Sequence, residues 1–540
     1  MTWLGLCKIG VTVAFINTNQ TGRVLHHSLK LAKGKVIIHD EAMRDALDGI
    51  DDAIKTLGLR RAVFGGPLQL YRTEVSEVTS DVAYLAKPQD APTTGIVGSG
   101  RRAFFVSPLR IRSTSSKPTE VDVLLGLAGC PDDRPPRLLR DGLGLEDRFA
   151  LVYTSGTTGM PKAAVITHGR MFNAGCLFSL MYGLRSTDRI YTVLPLYHSA
   201  GGMVGAGMML YMGASMVLRE KFSATAFWPD CCEHRCTVVQ YIGELCRYLL
   251  LAKPHPLERR HSVRLAVGNG LRPDVWGPFQ DRFGISEVGE FYGSTEGNAA
   301  LFNWCRHRRA RGAVGRMGTA SRSLGIMPLV RFDEATEEVV RGPGGRCVPC
   351  VPGEAGELLG LIAPGDPTRE FKGYLGNKEG TAKKVLRGVF RPGDAYFRTG
   401  DLLRRDEAGY FYYVDRIGDT FRWKGENVAT TEVTEAFAGV KGVAEAIVYG
   451  VLVPGHDGRA GMASLVLDAP ASEGAWTHDQ VERIVDLEAL AMTLKKRLPA
   501  YAVPAFLRIL PAAPTTGTFK HQKVALRKQG FDGCGPDPVY

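Results

Sequence analysis

Between residues 154 and 162 the chain reads TSGTTGMPK, a run of hydroxyls and glycines closed by a lysine. Thr154, Ser155, Gly156, Thr157, Thr158 and Gly159 can turn a backbone tightly and aim N–H groups and hydroxyls inward, and Lys162 adds a mobile positive charge. That chemistry suits a phosphate. The run is not a Walker A loop, because GxxxxGK puts the lysine directly after a glycine, whereas Lys162 comes three residues after Gly159 and is followed by Ala163 rather than Ser or Thr. Taken alone it also reads as a plain turn. A second segment, residues 292–296 (YGSTE), sets the carboxylate of Glu296 beside the hydroxyls of Ser294 and Thr295. A carboxylate there is a hard oxygen ligand for Mg2+ next to phosphates, and the same letters also suit a helix cap. Residues 398–401 (RTGD), 415–427 (DRIGDTFRWKGEN) and 516–520 (TGTFK) are further short polar segments that join glycine to charge.

In this order the segments resemble the signatures of the adenylate-forming (AMP-binding) superfamily, which includes acyl-CoA synthetases, luciferases and the adenylation domains of peptide synthetases. Asn298 directly after YGSTEG, the phrase at 415–428 and VPGHDGRAGMA at 453–463 are similar to the fatty-acid transport protein and very-long-chain acyl-CoA synthetase branch. The likeness runs over nearly the whole chain. It implies an ATP-dependent ligase that activates a long- or very-long-chain fatty acid as acyl-AMP and passes it to coenzyme A, with ATP, Mg2+ and CoA as cofactors. By the same resemblance Thr154–Gly159 and Lys162 hold phosphates, Tyr292 stacks near the adenine, Thr295 meets the α-phosphate and Glu296 holds Mg2+. Asp401 accepts from the ribose hydroxyls, Arg416 contacts ribose or phosphate, Gly418 is a hinge, and Lys424 with Gly425 faces CoA. Lys520 is the catalytic lysine. His198 and Gly202 border the acyl pocket, although the glycines at 201, 202, 205 and 207 also read as a device for close helix packing, and GNGL at 268–271 matches an adenine-side loop.

These segments need elements to hold them. Short β-branched runs alternate with amphipathic stretches: strands are expected at 36–39, 190–194, 214–218, 237–240 and 288–291, and helices at 41–57, 201–212, 224–234 and 243–251. Strands separated by helices imply parallel βαβ units and an α/β fold whose ligands bind beyond the carboxyl ends of the strands. Past residue 415 the strands become fewer and shorter, as at 445–453. The expected organisation is a large N-terminal domain (1–415) of mixed, mainly parallel sheets with helices on their faces, and a small mobile C-terminal α+β domain (416–540) carrying the catalytic lysine. The stretch 85–118, rich in Gly, Ser, Thr, Pro and Arg, reads as surface loop.

A chain of 540 residues exceeds one hydrophobic core. Its 67 basic and 56 acidic residues leave a formal +11, which suits nucleotide phosphates, CoA or an anionic membrane surface. No zinc-finger spacing, RNA-recognition signature or basic helix speaks for nucleic acid, and RHRRAR at 306–311 reads as a solvated loop. The 11 cysteines follow no disulfide framework and point to a reducing compartment. Cys347 and Cys350 lack a second ligand pair for zinc, and Cys231, Cys232 and Cys236 read as buried apolar residues.

The apolar stretch 3–17 is interrupted by Lys8, is too short to span a bilayer and lacks the marks of a signal peptide. The family has a longer, membrane-associating portion ahead of that stretch. The chain is therefore expected either to lack stable anchoring or to come from a truncated gene model, and to be intracellular, cytoplasmic or peripheral to a peroxisomal or endoplasmic reticulum membrane. Two rivals remain at this level: a fatty acyl-AMP ligase loading a carrier protein, and a non-catalytic fatty-acid uptake or binding protein.

Overall fold

The computed structural model describes residues 2–64, 120–122, 136–154, 160–333, 336–366, 368–424, 426–456, 458–469, 475–515 and 522–540. The chain packs as two compact units, the first formed by Met1–Leu143 with Phe149–Ala163 and the second by Gly144–Arg148 with Ala164–Tyr540. The stretch expected as loop at 85–118 lies outside the described residues.

In the first unit, Val36–Asp40, Arg60–Phe64 and Glu120–Asp122 form a parallel sheet in that order. Leu25, Leu29, Leu47 and Ile54 make the small core beside it. Val13–Phe15 pairs in parallel with Arg148–Thr154, Val13 opposite Ala150. The single helix expected at 41–57 is broken into a 3-10 turn Glu41–Met43 and two short helices, Arg44–Asp48 and Asp51–Thr56. The break falls at Gly49 and Ile50, where glycine weakens the helix. The buried Arg61 then gathers the two sides, donating to the Leu47 carbonyl at 2.8 Å, to Asp48 at 2.6 Å and to Asp51 at 2.9 Å. A charged group buried this deeply needs acceptors, and the broken helix supplies them to both terminal nitrogens of the guanidinium.

The second unit is built on a six-stranded sheet in the order Ala300–Cys305, Glu287–Gly293, Leu265–Asn269, Val238–Ile242, Arg189–Thr192, Ser215–Leu218. All its pairings are parallel except that of Ala300–Cys305. Helices Phe227–Glu233, Gly243–Leu251 and Pro273–Phe283 bury Trp228, Leu245, Trp276, Phe279 and Phe283 in its main core. The alternation in the sequence foretold four of these strands and two of these helices, but not Leu265–Asn269, Ala300–Cys305 or Pro273–Phe283. It did not disclose the antiparallel sheet that follows, in the order Gly315–Arg316, Tyr410–Arg416, Ala395–Arg405, Ala355–Leu361, Leu329–Asp333, Glu338–Val339. Further along, Val443–Val451, Ala460–Leu467 and Phe506–Leu510 form a small mixed sheet with its own core around Phe437, Trp476, Leu490 and Ile509. Among the described residues no helix is long and apolar enough to cross a membrane.

Candidate active site

Thr154 and Lys162 flank the glycine-rich run, and the Thr154 hydroxyl donates to the Lys162 carbonyl at 3.4 Å. Ser155, Gly156, Thr157, Thr158 and Gly159 lie outside the described residues, as do Gly425 and Lys520. Lys162 opens the strand Lys162–Thr167, which leads straight into the helix His168–Met181. Thr167 caps that helix by accepting from the Arg170 N–H at 3.1 Å.

Within the second unit the helix start is fastened to the YGSTE turn. The Arg170 guanidinium donates to the carbonyls of Glu296 at 2.8 Å, Ser294 at 3.3 Å and Gly297. Burial draws its pKa down to about 10, and the nearby Glu296 carboxylate opposes that shift. Arg170 therefore stays cationic at neutral pH. The turn it grips is held at two more points: Ser199 and Thr295 share a hydroxyl hydrogen bond of 2.8 Å, and Tyr374 donates to Glu296 Oε1 at 2.7 Å. Asn298 anchors the far side by donating to the carbonyls of Leu361 and Arg369.

The RTGD segment lies inside the strand Ala395–Arg405, where the pairing register shifts, and is built around a buried carboxylate. Glu357, with no exposed surface, accepts from Arg398 through both oxygens at 3.0 and 3.2 Å and from the Gly400 N–H at 3.2 Å. Gly400 sits at φ 77°, which only glycine adopts readily, and this lets the strand bulge just before Asp401. The Tyr292 hydroxyl donates to Asp401 Oδ2 at 2.5 Å, and Arg416 Nε stands 3.7 Å from Asp401 Oδ1. Tyr292 is 9 % exposed, so its ring is largely committed to the core with Leu301, Leu358 and Phe411. Lys384 donates to the Thr399 carbonyl at 3.1 Å; burial lowers its pKa while the carboxylates of Glu296 and Asp401 raise it. Two carboxylates from distant motifs, with Arg170, Arg416 and Lys384 around them, make a site that can take a polar, multiply charged ligand.

His198, Gly202, Gly418 and Lys424 take other positions. His198 Nδ1 accepts from the Ala200 N–H at 3.3 Å and leads into a π-helical stretch, Ala200–Gly205. A Cβ on Gly202 would stand 2.3 Å from the Leu196 carbonyl oxygen, and one on Gly175 would stand 2.5 Å from that of Gly207. At both positions the missing side chain lets backbone approach backbone closely. Gly418 is exposed at φ 87°, with its carbonyl accepting from Arg527 at 2.8 Å. Lys424 is exposed at φ 53°, an uncommon conformation for a residue with a side chain.

Arg170, Ser199, Glu357, Tyr374 and Lys384 were not singled out from sequence. They carry no local motif and work only through partners far along the chain. Glu290 is a further example. It lies buried behind the 268–271 loop, accepts from the Leu271 N–H at 3.2 Å and from the Tyr241 hydroxyl, and is pushed by burial to a pKa of about 8. A carboxyl raised in the native state binds a proton there that the unfolded chain releases. Stability should therefore fall by about 1.4 kcal/mol per pH unit between the ordinary carboxylate range and the native value, and level off above it. Denaturation midpoints across that window should show this slope in the wild type and lose it in Glu290→Gln; parallel curves would sink the assignment.

The AMP-binding enzyme family matches residues 1–360, and the AMP-binding enzyme C-terminal domain matches residues 432–520. Long-chain fatty acid transport protein 1 of Mus musculus is 40 % identical over 98 % of this chain and 72 % of its own. Among solved structures, the ATP-bound RpMatB-BxBclM chimera B1 superposes with a TM-score of 0.71 at 22 % identity, covering 98 % of this chain and 85 % of that one. An anthranilate CoA ligase, AuaEII, in complex with anthranoyl-AMP gives 0.71 at 18 % identity, covering 98 % and 84 %.

Proposed function

The chain belongs to the AMP-binding enzyme family, on its long-chain fatty acid transport protein branch, and from that premise we propose that it is an ATP-dependent ligase joining a long- or very-long-chain fatty acid to coenzyme A. The fold is that of adenylate-forming enzymes, α/β with mixed sheets and a small C-terminal domain. The observation that carries the proposal is the bond from Tyr292 to Asp401, with Arg416 alongside, which ties the YGSTE and RTGD motifs into one polar cluster.

In the proposed reaction the fatty carboxylate attacks the α-phosphate of ATP in line, forming acyl-AMP and releasing pyrophosphate. Thr154–Gly159 and Lys162 hold the leaving phosphates, Thr295 contacts the α-phosphate, and Asp401 with Arg416 orients the ribose. Glu296, fixed by Tyr374, would hold Mg2+ through a hard carboxylate oxygen. Bound Mg2+ would offset the negative charge gathering on the departing pyrophosphate. Lys520 lends a preorganised cation to the same charge. Residues 416–540 then pivot at Gly418, whose positive φ and open surroundings tolerate rotation, and bring Lys424 and Gly425 to the thiol entrance. The CoA thiol attacks the mixed anhydride, thioester forms and AMP leaves. His198 and Gly202 are proposed to border the acyl chain. Peripheral contact with a membrane accords with an apolar substrate.

Pyrophosphate release from Mg-ATP, measured with a panel of acids with and without CoA, tests this reading. Release that depends on a fatty acid, with acyl-CoA formed only when CoA is present, is expected. Acyl-AMP accumulating in the presence of CoA would assign the transfer to a carrier protein instead. No release with any acid, from protein shown to be folded, would leave only fatty-acid binding.

A further inference from the structure

One charged cluster has no part in that reaction. A cavity of about 400 Å3 opens where the helix Pro273–Phe283 ends, beside the start of the strand Glu287–Gly293 and the end of the strand Ala300–Cys305. Its wall includes Arg259, Arg306, His307, Arg308 and Arg311, with Asp281 the one acidic side chain. The place is distinct from the candidate active site. The strand from Glu287 must run its length before reaching Ser294, and at about 3.3 Å per residue that separates the two by roughly 20 Å. The antiparallel pairing of Val288 with Cys305 fixes Arg306–Arg308 at the same, amino-terminal rim of the sheet.

The guanidinium groups are held there rather than scattered. Arg259 donates to the carbonyls of Asp281 at 2.9 Å and Arg282 at 3.4 Å at the end of the helix. Arg306 lies 3.5 Å over the Trp304 ring with its Nε 3.4 Å from Glu287. Arg311 is 3.8 Å from Asp281, and Arg308 begins the one-turn helix Arg308–Ala310 with its side chain exposed. Counting Glu287 with Asp281, two carboxylates face four guanidinium groups, so the cavity keeps a positive surplus that attracts an anion. The fork of a guanidinium matches phosphate oxygens in pairs, and a doubly charged phosphate answers the surplus better than a single carboxylate does. The volume falls within the range of small-ligand pockets, and the polar wall does not suit an acyl chain.

We propose that this arginine-lined cavity is a second, non-catalytic site for a phosphate-bearing anion, either a lipid headgroup phosphate or a soluble organic phosphate. The full chain is tested in two arms: sedimentation with phosphatidylcholine vesicles with and without phosphatidic acid, and calorimetric titration with glycerol 3-phosphate. Binding is expected in at least one arm and should weaken with added salt. On vesicles it should weaken about fivefold for each cavity arginine removed, in Arg308→Ala and again in Arg306→Ala/Arg308→Ala. Arg308→Lys should retain most of it, and Arg309→Ala, a neighbour outside the cavity wall, should change it little. Vesicle binding alone names a headgroup, and glycerol 3-phosphate binding names a soluble ligand. Absence of binding in both arms, insensitivity to salt, or an equal loss in Arg309→Ala would overturn the site. Thermal unfolding of each variant shows that a loss is not a loss of fold.

Discussion

Replacing Arg170 with alanine is expected to lower kcat/KM for pyrophosphate release by about a hundredfold, because the side chain holds a turn whose misplacement by an ångström is worth that much. The guanidinium spans from the start of the helix His168–Met181 to the carbonyls of Ser294, Glu296 and Gly297. No other side-chain donor to these three carbonyls occurs among the described residues. Stripping the donors from buried carbonyls costs about 1–3 kcal/mol for each that water cannot reach, so a stability loss of about 2–4 kcal/mol should accompany the kinetic one. The two effects are separable. Activity per folded molecule, with folded protein counted by its denaturation amplitude, should still fall by most of the hundredfold. Arg170→Lys keeps the charge near Glu296 but offers one donor point in place of a fork, and should recover only part. An alanine variant that is less stable yet fully active when folded would show that the grip is architectural and nothing more.

The contrast between what the sequence revealed and what it concealed follows from the range of each interaction. Turn chemistry is local. A strand bulge that needs glycine at φ 77° before an aspartate advertises itself as RTGD, and the parallel strands advertise themselves as short apolar runs between helices. The family resemblance rests on such local signals and extends over the whole chain. Long-range partners send no such signal. Tyr374 looks like any tyrosine until the fold brings it to Glu296, and Glu357 looks like a surface glutamate until Arg398 and Gly400 close over it. The break in the expected helix at 41–57 is of the same kind, since the acceptors exposed there are wanted by Arg61, which is further along the chain. The RHRRAR run is exposed at 306–309, as a solvated loop should be, yet it has a spatial neighbour that the sequence did not show. Read along the chain it is a solvated loop, but Arg306, His307, Arg308 and Arg311 share a cavity with Arg259 that arrives from another element.

Lys520→Ala should cost the adenylation step about 10²–10³ in rate, the usual penalty for removing one preorganised group that stabilises transition-state charge. Pyrophosphate release reads that step directly. Transfer to CoA from supplied acyl-AMP should stay close to the wild-type rate, because in the proposed cycle the lysine has left before the thiol attacks. The surroundings of the pivot give this expectation its structural sense. The residues on either side of the lysine segment meet where Gln522 donates to the Pro514 carbonyl at 2.8 Å and to the Thr515 carbonyl at 3.0 Å. The helix that follows, Lys523–Gln529, is bonded to the proposed pivot: Arg527 donates to the Gly418 carbonyl at 2.8 Å, and Lys523 donates to Thr430 at 2.7 Å. Thr430 in turn satisfies the buried Asp415 through its N–H and hydroxyl. Rotation at Gly418 therefore cannot proceed without carrying this helix along or breaking the Arg527 bond, and either event is transmitted to the lysine a few residues away. If both half-reactions fell together in Lys520→Ala, the lysine would be serving the packing of that region, and the two-position cycle would have to be given up.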